Sequence, residues 1–413
     1  MRSPTNQWVG AYASDQGDGS WAADVDISSF GSSSLGAMEV YAYLWNSTNG
    51  GTGVFAPCGS DTVTREASGT GLNVLTGTNN NYASVALNDC SYSSPAVPIL
   101  KNYASVRATV QSQLAIMKKN GVDALRIFTM WGDNWYPAGA GVQISPPTTT
   151  LPSWFLQNIQ NYLDDISAAG IKTVILTFGG EGSYDPTNPS NNMTGLVLPA
   201  YKTATVQIMN SIKGHGPTNI FFDLLNEIAP SNYEPATSFS AKTTFIKNSW
   251  TFWVNSGFPI TTASYSSIID DSPTFEIAGN RLKNLINALL ATGKPIPSFF
   301  ELHIGGGHAA VVNQLRGVYQ VYSDFGFRSL DTNPKWSSID ESPYESQDDA
   351  NGIRDYIQNY DTYAGRGIQI RRALTWPTFS QYESAICPGT IPAQAIQPPI
   401  TSNILKAAIG TTP

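Results

Sequence analysis

The chain has 413 residues, 41% of them hydrophobic, which is enough to bury a sizeable core. Only 13% are charged, against roughly 25% in an ordinary soluble domain, and Ser, Thr, Asn and Gly carry the polarity instead. The net charge of -8 argues against a nucleic-acid partner, because phosphate binding needs a basic face. No run of about 18 apolar residues is present to span a membrane.

Residues 1–36 precede the first predicted strand and read as an N-terminal extension. Their opening, MRSPTNQWVG, has no apolar signal core, yet the charge-poor composition points to a secreted, extracellular chain. A first strand is predicted near 37–45. It is followed by an insertion, 46–100, rich in Gly, Asn, Ser and Thr. Loops of that length are usually functional. Cys58 and Cys90 lie within it, where a disulfide would staple the loop; three free thiols, counting Cys387, is the other reading. Asn46 and Asn192 begin glycosylation sequons.

A recurring unit then takes over. An amphipathic helical run ends at a Gly, and a short Val/Ile/Phe-rich run follows: MKKNGVDALRIF at Gly121, SAAGIKTVILTF at Gly170, VNSGFPITTA at Gly257, ATGKPIPSFFEL at Gly293 and AGRGIQIRRAL at Gly367. Gly past a helix end supplies the left-handed cap, and the apolar run reads as a buried parallel strand. Further strands are predicted near 122–130, 171–178, 219–226, 259–265, 297–303, 336–341 and 368–375. Helices are predicted near 101–120, 152–169, 199–214, 241–256, 277–292, 309–320, 349–363 and 400–409. Eight strands alternating with eight helices predict a single α/β domain, a (β/α)8 TIM barrel with a long loop after strand one. An open doubly wound sheet is the alternative, but it lacks a Gly-rich phosphate loop.

In such a barrel the chemistry sits at the C-terminal ends of the strands. Strand four reads NIFFDLLNE and ends in Asn226-Glu227; strand seven reads KWSSIDE and ends in Asp340-Glu341. Two carboxyl groups facing each other across a barrel mouth are what glycoside hydrolysis needs: one protonates the leaving oxygen, the other attacks the anomeric carbon. Asp340 and Glu345 are the neighbouring alternatives to Glu341 if the strand end is shifted.

On these residues the sequence resembles clan A of the glycoside hydrolases, over roughly residues 37–410. The resemblance implies that Glu227 is the acid/base, Glu341 the nucleophile and Asn226 a ligand of the sugar 2-hydroxyl. It implies that Arg126, in ALRIFTMW, supports the nucleophile, and that Trp376, in ALTWP, floors the sugar site. His303 matches the His of the clan's strand-six His-x-Tyr, but Gly305 stands where the Tyr belongs; Tyr265 and Tyr344 are the candidates to replace it. Pro230 also comes two residues later than in the clan's Asn-Glu-Pro.

Trp131, Trp135, Tyr136, Trp336 and Trp376 are read as rings near strand ends that stack on sugars, with Asp133 and Asn134 binding hydroxyls beside them. Glu181 follows strand three at another substrate-binding place. The bland alternatives are a buried ion pair for Arg126, core packing for Trp376, and a solvated loop or helix cap for Glu181. Trp250 and Trp253, inside a helix, read as core. Glu301, His303 and His308 do not have the spacing of a zinc motif, and no cofactor is implied. The expected function is a retaining O-glycosidase acting on a poly- or oligosaccharide, with endo action favoured by the spread of aromatics. A non-catalytic carbohydrate-binding protein on a degenerate barrel is the alternative.

Overall fold

The structure, a computed structural model, describes residues 14–15, 21–22, 36–46, 54–65, 75–79, 82–83, 97–119, 121–133, 142–144, 150–270, 275–328, 331–343, 351–353, 355–356 and 368–376. The chain divides into two compact units, Met1–Gly71 and Leu72–Pro413. In the first, Ser14–Asp15 pairs antiparallel with Trp21–Ala22, and Gly36–Asn46 pairs antiparallel with Val54–Arg65.

The second unit is the barrel. Its strands are β1 (Leu75–Asn79), β2 (Ala124–Gly132), β3 (Thr173–Glu181), β4 (Asn219–Asp223), β5 in two pieces (Ala263–Ser264 and Ser266–Ile268), β6 (Phe299–His303), β7 (Trp336–Pro343) and β8 (Gln369–Trp376). Every neighbouring pair is parallel. The hydrogen-bonded path starts at the first piece of β5, runs through β4, β3, β2, β1, β8, β7 and β6, and ends at the second piece of β5. Its two ends are consecutive segments of one strand, parted by Tyr265. Ser264 Oγ bridges the gap by donating to the carbonyl of Phe299 on β6, at 2.8 Å.

The first strand is a correction. Residues 37–45 lie in the antiparallel hairpin of the first unit, not in the barrel. The barrel slot is filled by LTGTN at Leu75–Asn79, inside the segment read as a loop. The same segment also holds Tyr82–Ala83 paired with Val97–Pro98.

Helices cover the strands: α1 (Ile99–Lys119), α2 (Ser153–Ala168), α3 (Leu198–Ser211), α4 (Ala236–Asn255), α5 (Asn280–Leu290) and α6 (His308–Phe325). Gly121, Gly170, Gly257 and Gly293 take the left-handed conformation past α1, α2, α4 and α5, as their place in the repeating unit predicts. Gly367, Cys58, Cys90 and Cys387 lie outside the residues whose side chains are described.

The main core lies between strands and helices. Trp250 and Trp253 of α4 are fully buried in it, and their indole N–H groups donate to the carbonyls of Pro295 and Pro259. Each such ring removes upward of 150 Å² from water, which contributes about 4 kcal/mol. A second, smaller cluster of Ala124, Ile175, Leu374 and Phe221 fills the barrel interior.

Candidate active site

Contacts between non-neighbouring strands run through the barrel interior, and they locate the site. Arg126 on β2 reaches past β3 to Asp223 at the end of β4, with Nη2 to Oδ2 at 2.6 Å and both side chains fully buried. The same Nη2 donates to Asn226 Oδ1 at 2.6 Å. Asp223 Oδ1 accepts the backbone N–H of Ser266 at 3.0 Å, and Ser266 Oγ accepts the backbone N–H of Glu227 at 2.7 Å. Thus Arg126, Asp223 and β5 together fix Asn226-Glu227. Strand β4 ends at Asp223, so the pair lies in the loop after it and not in the strand as predicted. Glu227 is the one described non-Gly residue with positive φ, at 53°.

The Glu227 side chain leaves this frame toward β6. Its Oε1 lies 2.9 Å from His303 Nδ1, and the carboxyl is 37% exposed where the imidazole is 6%. Burial raises the Glu227 carboxyl. The hydrogen bond and charge of His303, then the charges of Arg126 and Arg281, outweigh burial and hold it below the usual glutamate range.

Glu341 enters through register. Along β6 and β7 the pairs run Phe299 with Trp336, Glu301 with Ser338 and Leu302 with Ile339. The register then shifts by one, and His303 pairs with Glu341. The irregularity makes the backbone of Glu341, and not that of Asp340, the ladder partner of the histidine that touches Glu227. Trp376 ends β8 as the partner of Pro343. The side chains of Glu341 and Trp376 lie outside the described residues, as do Asn134, Trp135, Tyr136, Tyr344 and Glu345 altogether.

Glu181 ends β3, half-buried, as the ladder partner of Gly132. Burial, then the charge of Asp185, raise its carboxyl. A Cβ on Gly132 would sit 2.7 Å from the Glu181 carbonyl oxygen, so the ends of β2 and β3 meet there because residue 132 has no side chain. Asp133 Oδ1 accepts the backbone N–H of Ser183 at 2.8 Å and ties the loops after β2 and β3 together.

Three aromatic expectations are corrected. Trp131 is 1% exposed and packs against Tyr201 in the core, so it has no open face for a sugar. Its parity explains this: Arg126 and Phe128 face inward, and residue 131 falls on the opposite face. Trp336 begins β7, at the end of the barrel remote from the site, stacked on Phe299 with centroids 4.2 Å apart. Tyr265 points outward, its hydroxyl 2.7 Å from Ser249 Oγ of α4, and so does not fill the place expected of a Tyr beside Glu341. At Gly305, where the resemblance leads one to expect a Tyr, Gln314 accepts the backbone N–H at 2.8 Å and donates to the carbonyl at 2.9 Å.

The fold has counterparts among known structures. It is similar to a GH5_18 from Bifidobacterium longum subsp. longum ATCC 55813, with a TM-score of 0.51 and 13% identity over 81% of this chain and 79% of that one. A GH5_18 from Bifidobacterium longum subsp. infantis gives a TM-score of 0.50 at 13% identity and the same coverage. The exo-beta-1,4-mannosidase Op5Man5 from Opitutaceae bacterium strain TAV5 gives 0.50 at 13% identity, over 81% of this chain and 59% of that one. The fold is a (β/α)8 barrel. No protein-family model matches the chain, and no curated protein is significantly similar to it. Among the described residues no helix is long and apolar enough to cross a membrane, and no group of three His, Cys, Asp or Glu is placed to hold a metal.

Two residues of the constellation escaped the sequence, Asp223 and Ser266. Asp223 carried a usable signal, because it stands two residues after Phe221 in the strand and so shares its inward face.

Proposed function

We propose that the chain is a glycoside hydrolase that cleaves O-glycosidic bonds of a poly- or oligosaccharide with retention, with Glu227 as acid/base and Glu341 as nucleophile. The observation that carries this reading is the contact of Glu227 Oε1 with His303 Nδ1 at 2.9 Å, together with the pairing of His303 and Glu341 across β6 and β7. It places the backbones of both glutamates around one histidine at the C-terminal end of the barrel. The likeness in fold to an exo-beta-1,4-mannosidase supports it.

In the first step the Glu341 carboxylate attacks the anomeric carbon. The bond from that carbon to the leaving oxygen breaks, and Glu227 gives its proton to the oxygen. In the second step Glu227 takes a proton from water, the water oxygen attacks the same carbon, and the ester to Glu341 breaks. Glu227 must carry a proton for the first step, and the pull of His303 on its carboxyl opposes that. In this reading Asn226, which accepts from Arg126, binds the sugar beside the reacting carbon and Trp376 floors it.

With Trp131 and Trp336 away from the open face, the aromatic support for an endo cleft rests on Trp135, Tyr136 and Trp376. Product lengths decide between endo and exo attack. Secretion is part of the same reading and follows from the charge-poor composition. The test is release of reducing sugar from a panel of polysaccharides. Wild type should release it, and Glu227→Gln and Glu341→Gln should each lose about 10²-fold to 10⁴-fold or more. Wild type and Glu227→Gln equally inactive on every glycan, with glycan binding retained, would replace this reading with a carbohydrate-binding protein.

A further inference from the structure

Layers inside a (β/α)8 barrel draw four side chains from alternate strands, and bulky branched residues dominate them. Here each even-numbered strand supplies an ionisable group: Arg126 from β2, Asp223 from β4, Glu301 from β6 and Arg372 from β8, none more than 1% exposed. Asp340 of β7 is buried beside them. Strand β5 faces them with Ser264 and Ser266, and His303 follows Glu301 two residues on.

The contacts are uneven. Asp223 has a guanidinium at 2.6 Å and a backbone N–H at 3.0 Å. Asp340 Oδ1 accepts from the Ser338 hydroxyl. Glu301 has its nearest cation, Arg372 Nη2, at 3.8 Å, beyond hydrogen-bonding range, and neither of its oxygens bonds a described group. The Arg372 guanidinium lies over the rings of Phe221, Phe299 and Trp336, at 4.1, 5.1 and 4.9 Å to the centroids.

Two guanidiniums stay charged at any working pH. Among the described residues, three buried carboxylates around them would leave one negative charge out of water in excess of the two guanidiniums, and such a group takes a proton instead. The acid without a close donor is the one that takes it. We propose that Glu301 is a neutral carboxylic acid, the stored proton that balances Arg126 and Arg372 against Asp223 and Asp340 in the layer beneath Glu227 and His303. The same direction follows from the local field: burial, then the charges of Asp340 and Asp223, push the Glu301 carboxyl well above the usual range, against Arg372 and Arg126. Glu301 is a positioning residue. Ionised, it would compete with Glu227 for the charge of His303 from two residues below.

The proposal stands apart from the reaction assigned above, and so does its test. Infrared spectra of the wild-type protein at neutral pH should contain the carbonyl stretch of a buried protonated acid, and Glu301→Gln should remove it. Melting temperatures of both proteins, followed from about pH 5 to about pH 9, give the second readout. A stored proton makes the neutral Gln equal to Glu at the acid end and increasingly superior as pH rises. A wild type with no such band at neutral pH overturns the proposal without any variant. So does a Glu301→Gln protein that melts below wild type at neutral pH and recovers as the pH falls, since that is the pattern of a lost ion pair.

Discussion

His303 Nδ1 and Glu227 Oε1 are 2.9 Å apart, and the imidazole is the more deeply buried of the two. The histidine therefore controls the carboxyl, because its charge is the less screened by water. Replacing it by Asn takes away the main influence lowering Glu227. The Glu227 carboxyl then rises, stays protonated to higher pH, and the alkaline limb of the activity profile moves up. A pH–rate profile of His303→Asn checks this; a limb that stays in place or moves down is the contrary result.

Arg126 and Asp223 form a fully buried pair that also orients Asn226. Arg126→Met leaves Asp223 buried without its guanidinium, which costs about 3–5 kcal/mol. Urea unfolding should show that loss. Activity should fall as well, since Asn226 loses the donor that holds it. A loss of stability below about 1 kcal/mol, the level of an exposed pair, would mean that the site is wetter than its burial implies.

Acid should attack the fold at Asp165. Its carboxylate accepts from Tyr103 at 2.5 Å, from Arg107 at 2.7 and 2.9 Å, and from Gln111 at 3.1 Å. Burial raises this carboxyl, but the bonds from Arg107, Tyr103 and Gln111 outweigh it and depress it below the ordinary aspartate value. A depressed carboxyl contributes stability above its unfolded value and loses it as pH falls through the folded one. Asp165→Asn should therefore be less stable than wild type at neutral pH, by about 2 kcal/mol given the exposed Arg107, and the gap should close in acid. A gap constant with pH would assign the loss to packing alone.

Gly132→Ala tests the close approach of β2 to β3. The new methyl meets the backbone and Cβ of Glu181 at 2.7 and 2.9 Å, and neither is the movable end of a side chain. The strand ends must part, at a cost of about 1–3 kcal/mol. Glu181 moves with them, so substrate affinity should weaken beyond what the stability loss explains. Calorimetry and KM measured together separate the two effects.

Periodicity and glycine caps made the later barrel legible, because buried parallel strands and helix ends leave local marks. The first strand left none. LTGTN has Gly and Asn where an apolar run is sought, and it is held by β2 and β8 on either side. GAMEVYAYLWN looks far more like a strand, yet strand propensity does not distinguish an antiparallel hairpin from a barrel slot. The site was legible where motif and position agree, at Arg126, Asn226, Glu227 and His303. It was hidden where register slips. One irregularity in β7 pairs His303 with Glu341, and another places Arg371 outside and Arg372 inside β8. No spacing in the sequence announces either slip.

The left-handed backbone of Glu227 has a consequence for how this protein can change. A residue with a Cβ at φ 53° is disfavoured by about 1 kcal/mol relative to glycine. Folding and chemistry thus ask for different residues at one position. Unselected drift, or a screen for thermal tolerance alone, should favour Gly there and yield a sturdier barrel without the carboxyl proposed as its acid/base. A glutamate persisting at that position across related chains would therefore measure selection for turnover.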